Sequence, residues 1–90
     1  MNPIIEINEV VDVVAIFRRV KSPTAVQPVR MHYHGRNITF AKLGMCHPVR
    51  HGAQLHYVFD VSDGANDYSL DFDTTTLTWT LVAMIDGGSL

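Results

Sequence analysis

Apolar side chains recur at every second position through the second half of this chain, and that period of two constrains its fold more than any other feature. Leu55, Tyr57, Phe59 and Val61 alternate with Gln54, His56, Val58 and Asp60, and Tyr68, Leu70 and Phe72 alternate with Asp67, Ser69, Asp71 and Asp73. Leu77, Trp79, Leu81 and Ala83 continue the rhythm. Successive side chains of a strand point to opposite faces, so each stretch reads as a strand with one buried side. The connectors fit: Ser62-Asp63-Gly64-Ala65-Asn66 offers turn chemistry with a glycine free to take positive φ, and Asp73-Thr74-Thr75 turns the chain again.

The first half is less regular. Val11, Val13, Ala15 and Phe17 share one face of a strand spanning Val10–Val20, while Val10, Val14 and Ile16 occupy the other. Both faces are apolar, which suits a central strand or one that meets a second subunit. A helix capped by Asn8 is the rival, but a run of β-branched residues disfavours it. Ile4–Ile7 reads as a short edge strand or a flexible arm. Lys21–Pro28 reads as a loop, Val29, Met31 and Tyr33 as a half-buried strand, and Gly35-Arg36 as a turn. Ile38, Phe40 and Leu43 continue into a partner strand, and Gly44–Gly52, with Pro48, reads as a second loop. Short connections imply antiparallel neighbours. The expectation is one all-β domain over residues 1–90, with residues 1–8 and 86–90 flexible. Its architecture is an antiparallel meander of about five or six strands, curled into a half-barrel or small barrel. Met31, Tyr33, Phe40, Tyr57, Phe59, Tyr68, Phe72 and Trp79 fall in phase on the face to be covered.

Several stretches together resemble a group of small uncharacterised bacterial β proteins. These are Pro28-Val29-Arg30, Gly35-Arg36, His56 to Gly64, Tyr68 to Asp73 and Leu77 to Leu81. In that group a Gly-Arg hairpin precedes an aromatic strand and a closing Trp strand, and an aromatic often stands where this chain has His34. The resemblance covers Pro28 to Val82. Its motifs are core aromatics and turn residues, so it implies an architecture and no chemistry.

Charge and composition narrow the function classes. A net charge of −2 gives no global attraction to nucleic acid or anionic membranes. The start has no positive n-region, and Glu6, Glu9 and Asp12 interrupt any apolar h-region. No apolar run reaches the roughly 20 residues of a membrane-spanning helix. Cys46 is the only cysteine, so no internal disulfide can form. A cytoplasmic, reducing setting is the expectation. No Ser-His-Asp order, glycine-rich phosphate loop or G-x-S-x-G elbow is present, so a non-enzymatic chain without a cofactor is expected.

Three constellations remain. His32, His34 and His56 fall on the polar side of their strands and could approach one zinc ion, with Cys46, His47 and His51 on an adjoining loop. Clustered imidazoles would also make an assembly pH-sensitive near pH 6–6.5. Histidines on a polar sheet face are, however, commonly solvated or partnered singly. Arg18, Lys21, Arg30 and Arg36, near Tyr33, could form a cationic surface that stacks and neutralises single-stranded nucleic acid. The outward Asp60, Asp67, Asp71 and Asp73 would oppose phosphate and keep the sheet soluble. Finally, Val10, Val14, Ile16, Val58, Val82 and Met84 make a second apolar set opposite the aromatic face. Such a set marks an interface, either with an unidentified protein partner or, as the leading expectation, in a homodimer.

Overall fold

The computed structural model describes residues 3–20 and 25–87. They form seven strands: β1 Ile4–Phe17, β2 Val26–Tyr33, β3 Arg36–Thr39, β4 Lys42–His51, β5 Gln54–Ser62, β6 Asp67–Asp73 and β7 Thr78–Ile85. All neighbours are antiparallel, in the single-sheet order β3-β2-β1-β7-β6-β5-β4. The all-β, antiparallel expectation holds. The strand count rises from five or six to seven, and the chain makes two meanders joined by the pairing of β1 with β7.

The sheet curls without closing. β3 and β4 are its two edges, yet only Phe40 and Ala41 separate them in the chain. Three peptide steps of 3.8 Å bring Thr39 and Lys42 within about 11 Å. The link is hydrogen-bonded on both sides: the Phe40 N–H donates to the Val29 carbonyl at 2.8 Å, and the Ala41 N–H to that of Ser62 at 2.8 Å.

β1 makes the curl possible. Its first half pairs with β7, from Ile4 opposite Ile85 to Val11 opposite Trp79, and its second half pairs with β2, from Asp12 opposite His32 to Phe17 opposite Val26. Within the first half Ile7 and Asn8 bulge against Val82, and Asn8 takes φ 55°. Asparagine tolerates that left-handed backbone, and the bulge bends the strand. So Val10–Val20 is strand rather than helix, but it ends at Phe17, and Ile4–Ile7 is its beginning rather than a separate arm.

Other corrections have local causes. Gly44–Gly52 is largely strand: β4 lies on an edge, where Pro48 is tolerated, and a bulge between Leu43 and Cys46 absorbs Gly44. β2 begins at Val26, inside the expected loop. The β2–β3 turn is His34-Gly35, both at positive φ (49° and 76°), so His34 leaves the strand face for the two-residue hairpin turn. Leu77 also lies in a turn, at φ 59°, rather than lining β7.

The concave face holds the core. Phe59, Met31, Leu70, Leu81 and Val61 are its fully buried side chains. Burying each stabilises by about 1.5–3 kcal/mol relative to exposure. Phe72 stacks on Trp79 at 4.5 Å between ring centroids, and Phe59 tilts against Trp79 at 5.5 Å. The eight aromatic and methionine residues expected on one face all join this core or pack against it.

Candidate interaction surface

The convex face is set by strand phase. With Val11, Val13 and Ala15 turned inward, Val10, Asp12, Val14 and Ile16 point out. Val10, Val14 and Ile16 are 71%, 49% and 48% exposed. Across the sheet, Val10 is in register with Thr80, Thr80 with Asp71, and Asp71 with Val58. Val58 therefore shares the outer face, three strand steps or roughly 14 Å from Val10, and is half-buried.

Two members of the expected apolar set behave differently. Between β6 and β7 the register skips Val82, so Leu81 faces Leu70 and Met84 faces Tyr68. That bulge reverses the phase of the strand end. Met84 turns inward and packs against the core, Ala83 turns outward, and Val82 sits half-buried in the bulge. Met84 is thus a core residue and not part of an outer patch.

The structure adds Ile4, 67% exposed and in register with Ile85. Stepping back by twos from Val10 through Asn8 and Glu6 reaches Ile4, so the same periodicity carried the signal. Ile4, Ala83 and Ile85, with Asp60, Asp67, Tyr68 and Ser69, line a concavity of about 320 Å³ on this face. One carboxylate oxygen of Asp67, Oδ1, is buried without a hydrogen-bond partner. A second, larger groove of about 490 Å³ opens where β1 leaves β7, between Val10–Val13, Phe17, Leu77 and the rings of Phe72 and Trp79.

The basic residues divide. Arg30 points outward opposite Val14, and the Arg18 guanidinium donates to Gln27 Oε1 at 2.8 Å beside Ile16. Arg36 is in phase with the buried Ile38 and belongs to the other side of the sheet, near Tyr68. Between the registers of Phe17 and Arg36, β2 runs from Val26 to Tyr33, about 23 Å, so Arg18 and Arg36 do not form one patch. Lys21 lies outside the described residues.

The three histidines are not brought together either. His32 Nδ1 donates to Asn37 Oδ1 at 3.0 Å, while His34 Nε2 meets Glu9 Oε2 at 3.1 Å and its ring stacks on Tyr33. His56 lies on β5, separated from β2 by β6, β7 and β1. Its Nδ1 donates to Asp71 Oδ1 at 2.8 Å and its Nε2 lies 3.8 Å from Asp73 Oδ2, with the side chain only 15% exposed. The His51 ring meets it edge-on at 4.9 Å. Among the described residues no group of three His, Cys, Asp or Glu is arranged to hold a metal ion. Cys46 packs against the core, and burial pushes its thiol pKa up, away from the thiolate a metal would need.

The perturbed carboxylates have turn-building partners. Backbone N–H groups of Thr75 and Thr76 and the nearby His56 hold Asp73 below its ordinary pKa. Burial works to raise Asp63, but the N–H groups of Asn66 and Ala65 and the Tyr68 hydroxyl outweigh it and leave the carboxyl lowered. Burial, with Asp63 alongside, pushes Tyr68 up. The His56–Asp71 contact pins β5 to β6 on the outer face.

The sheet edges discourage pairing with another chain. β3 is four residues long, and β4 carries Lys42, Pro48, Arg50 and a bulge. No helix of the described residues is long and apolar enough to cross a membrane. No protein-family model, curated protein or solved structure matches the chain.

Proposed function

We propose that this domain is a non-enzymatic β module that self-associates and acts as an accessory or interaction domain. One observation carries the reading: the outer face of β1 exposes Ile4, Val10, Val14 and Ile16 along a single strand. Exposed apolar surface of this kind is stabilised by docking. The guarded edges favour contact through the face rather than along the strands. A lone thiol suits a reducing, cytoplasmic setting, and the strand pattern suits the bacterial β group it resembles.

Native mass spectrometry of the untagged protein across concentrations tests the proposal. A dimer that Val10→Lys combined with Val14→Lys converts to a folded monomer supports it. A wild-type chain that stays monomeric at high micromolar concentration overturns it.

A further inference from the structure

The outer positions of β1 are distributed about its centre. Ile4 and Glu6 lie before the bulge, Val14 and Ile16 near the far end, and Val10 stands midway between Ile4 and Ile16. The two ends differ in charge. The first carries Glu6, beside the concavity that also holds Asp60 and Asp67. The second has Arg30 in register with Val14 and Arg18 bonded to Gln27 next to Ile16, two cations against the single carboxylate of Asp12. Both ends are apolar and each has the net charge that the other lacks, and one strand cannot fold back to join them.

Resting on the self-association proposed above, we infer that two copies stack their β1 strands face to face and antiparallel about a two-fold axis at Val10. A closed dimer of this kind uses one self-complementary patch twice. Val10 then meets Val10 of the second copy, and Ile4 meets Ile16. Glu6 lies over Val14 of the second copy, within one strand spacing of that copy's Arg30. The concavity beside Ile4 receives Ile16 from the second copy. A parallel stack would instead place acidic half on acidic half and basic half on basic half, which opposite-charge steering disfavours.

Thiol cross-linking with a short bismaleimide tests this geometry. Cys46→Ala removes the native thiol, and Val10→Cys is compared with Ala53→Cys, an exposed residue in the β4–β5 turn. Face-packed sheets lie about 10 Å apart, beyond the roughly 7 Å between Cα atoms that a disulfide tolerates. The probe is therefore a bismaleimide with a spacer of about 8 Å, and a two-fold at residue 10 brings both copies of that position within its reach. At concentrations where the unmodified protein is dimeric, the reagent is expected to cross-link the Val10→Cys chain nearly completely and the Ala53→Cys chain slowly. Arg30→Glu is expected to weaken the dimer about tenfold, and adding Glu6→Arg to restore it. A dimer that forms without accelerated cross-linking at residue 10, or ignores Arg30→Glu, overturns the two-fold and leaves self-association standing. A monomeric wild type overturns both. So does a monomer that binds single-stranded oligonucleotide until Arg30→Glu is introduced, which would assign the surface to nucleic acid.

Discussion

The carboxylate of Asp63 should be worth several degrees of thermal stability, and only above acidic pH. Its Oδ1 accepts the N–H groups of Ala65 at 2.8 Å and Asn66 at 2.7 Å, and its Oδ2 accepts the Tyr68 hydroxyl at 2.9 Å. Together these hold the β5–β6 turn and anchor a core tyrosine. Removing one partner of a hydrogen bond costs about 1 kcal/mol or more; with the Ala65 contact discounted for its exposure, Asp63→Ala should cost about 2 kcal/mol. For a domain of this size that lowers Tm by about 8–16 °C at pH 7, read by circular dichroism at fixed protein concentration. The pH dependence has a definite sign. The folded-state pKa lies below the ordinary 3.8, so the charged form's contribution is complete above about pH 4 and is lost as pH falls through the folded value. The gap between wild type and Asp63→Ala should therefore narrow below pH 4. Tyr68→Phe should cost about 1 kcal/mol and be partly redundant with Asp63→Ala. Equal melting temperatures at pH 7, or a gap unchanged down to pH 2, would refute the reasoning.

Leu77→Gly should raise stability by about 1 kcal/mol, because Leu77 holds φ 59° in an exposed turn where glycine is unstrained; a lower urea midpoint would count against it. At concentrations where the chain is monomeric, Met84→Asp should cost about 2–3 kcal/mol in urea denaturation and Val14→Asp less than about 1, since one side chain packs inside and the other points to solvent. Reversed costs would show that the β7 bulge has been misassigned. Zinc or a chelator should leave Tm unchanged, because His32, His34 and His56 bond to Asn37, Glu9 and Asp71 separately; a stoichiometric zinc-dependent rise would contradict that arrangement.

What the sequence made legible was the period of two where it runs unbroken. Residues 54–62 and 67–73 became strands β5 and β6 with their inward faces as expected, because alternation and turn chemistry agreed there. Failures cluster where one residue breaks the count. The Val82 bulge reverses the phase of Ala83 and Met84, and nothing in Leu81-Val82-Ala83-Met84 distinguishes a bulged strand from a straight one. Pro48 reads as a breaker, yet its missing donor costs little on an edge strand, and edge position is a property of the whole sheet. His34 alternates with Met31 and Tyr33 only until the hairpin turn takes it. The outer patch was half visible: Val10, Val14 and Ile16 were legible, Ile4 keeps their phase but reads as part of a separate edge strand or arm, and Arg36 was separated from Arg30 by a phase that hairpin geometry alone decides.

Because Ile4 pairs with Ile85 while Phe40 and Ala41 alone bridge the two sheet edges, the order of strands in space is a cyclic shift of their order in the chain. A circular permutant opened between Phe40 and Ala41 and joined from the Ile85 side to the Ile4 side would run β4-β5-β6-β7-β1-β2-β3. Every ladder would then link sequence neighbours. The one long-range closure of the native chain, β1 onto β7, would become local, lowering the contact order and accelerating folding of the same sheet.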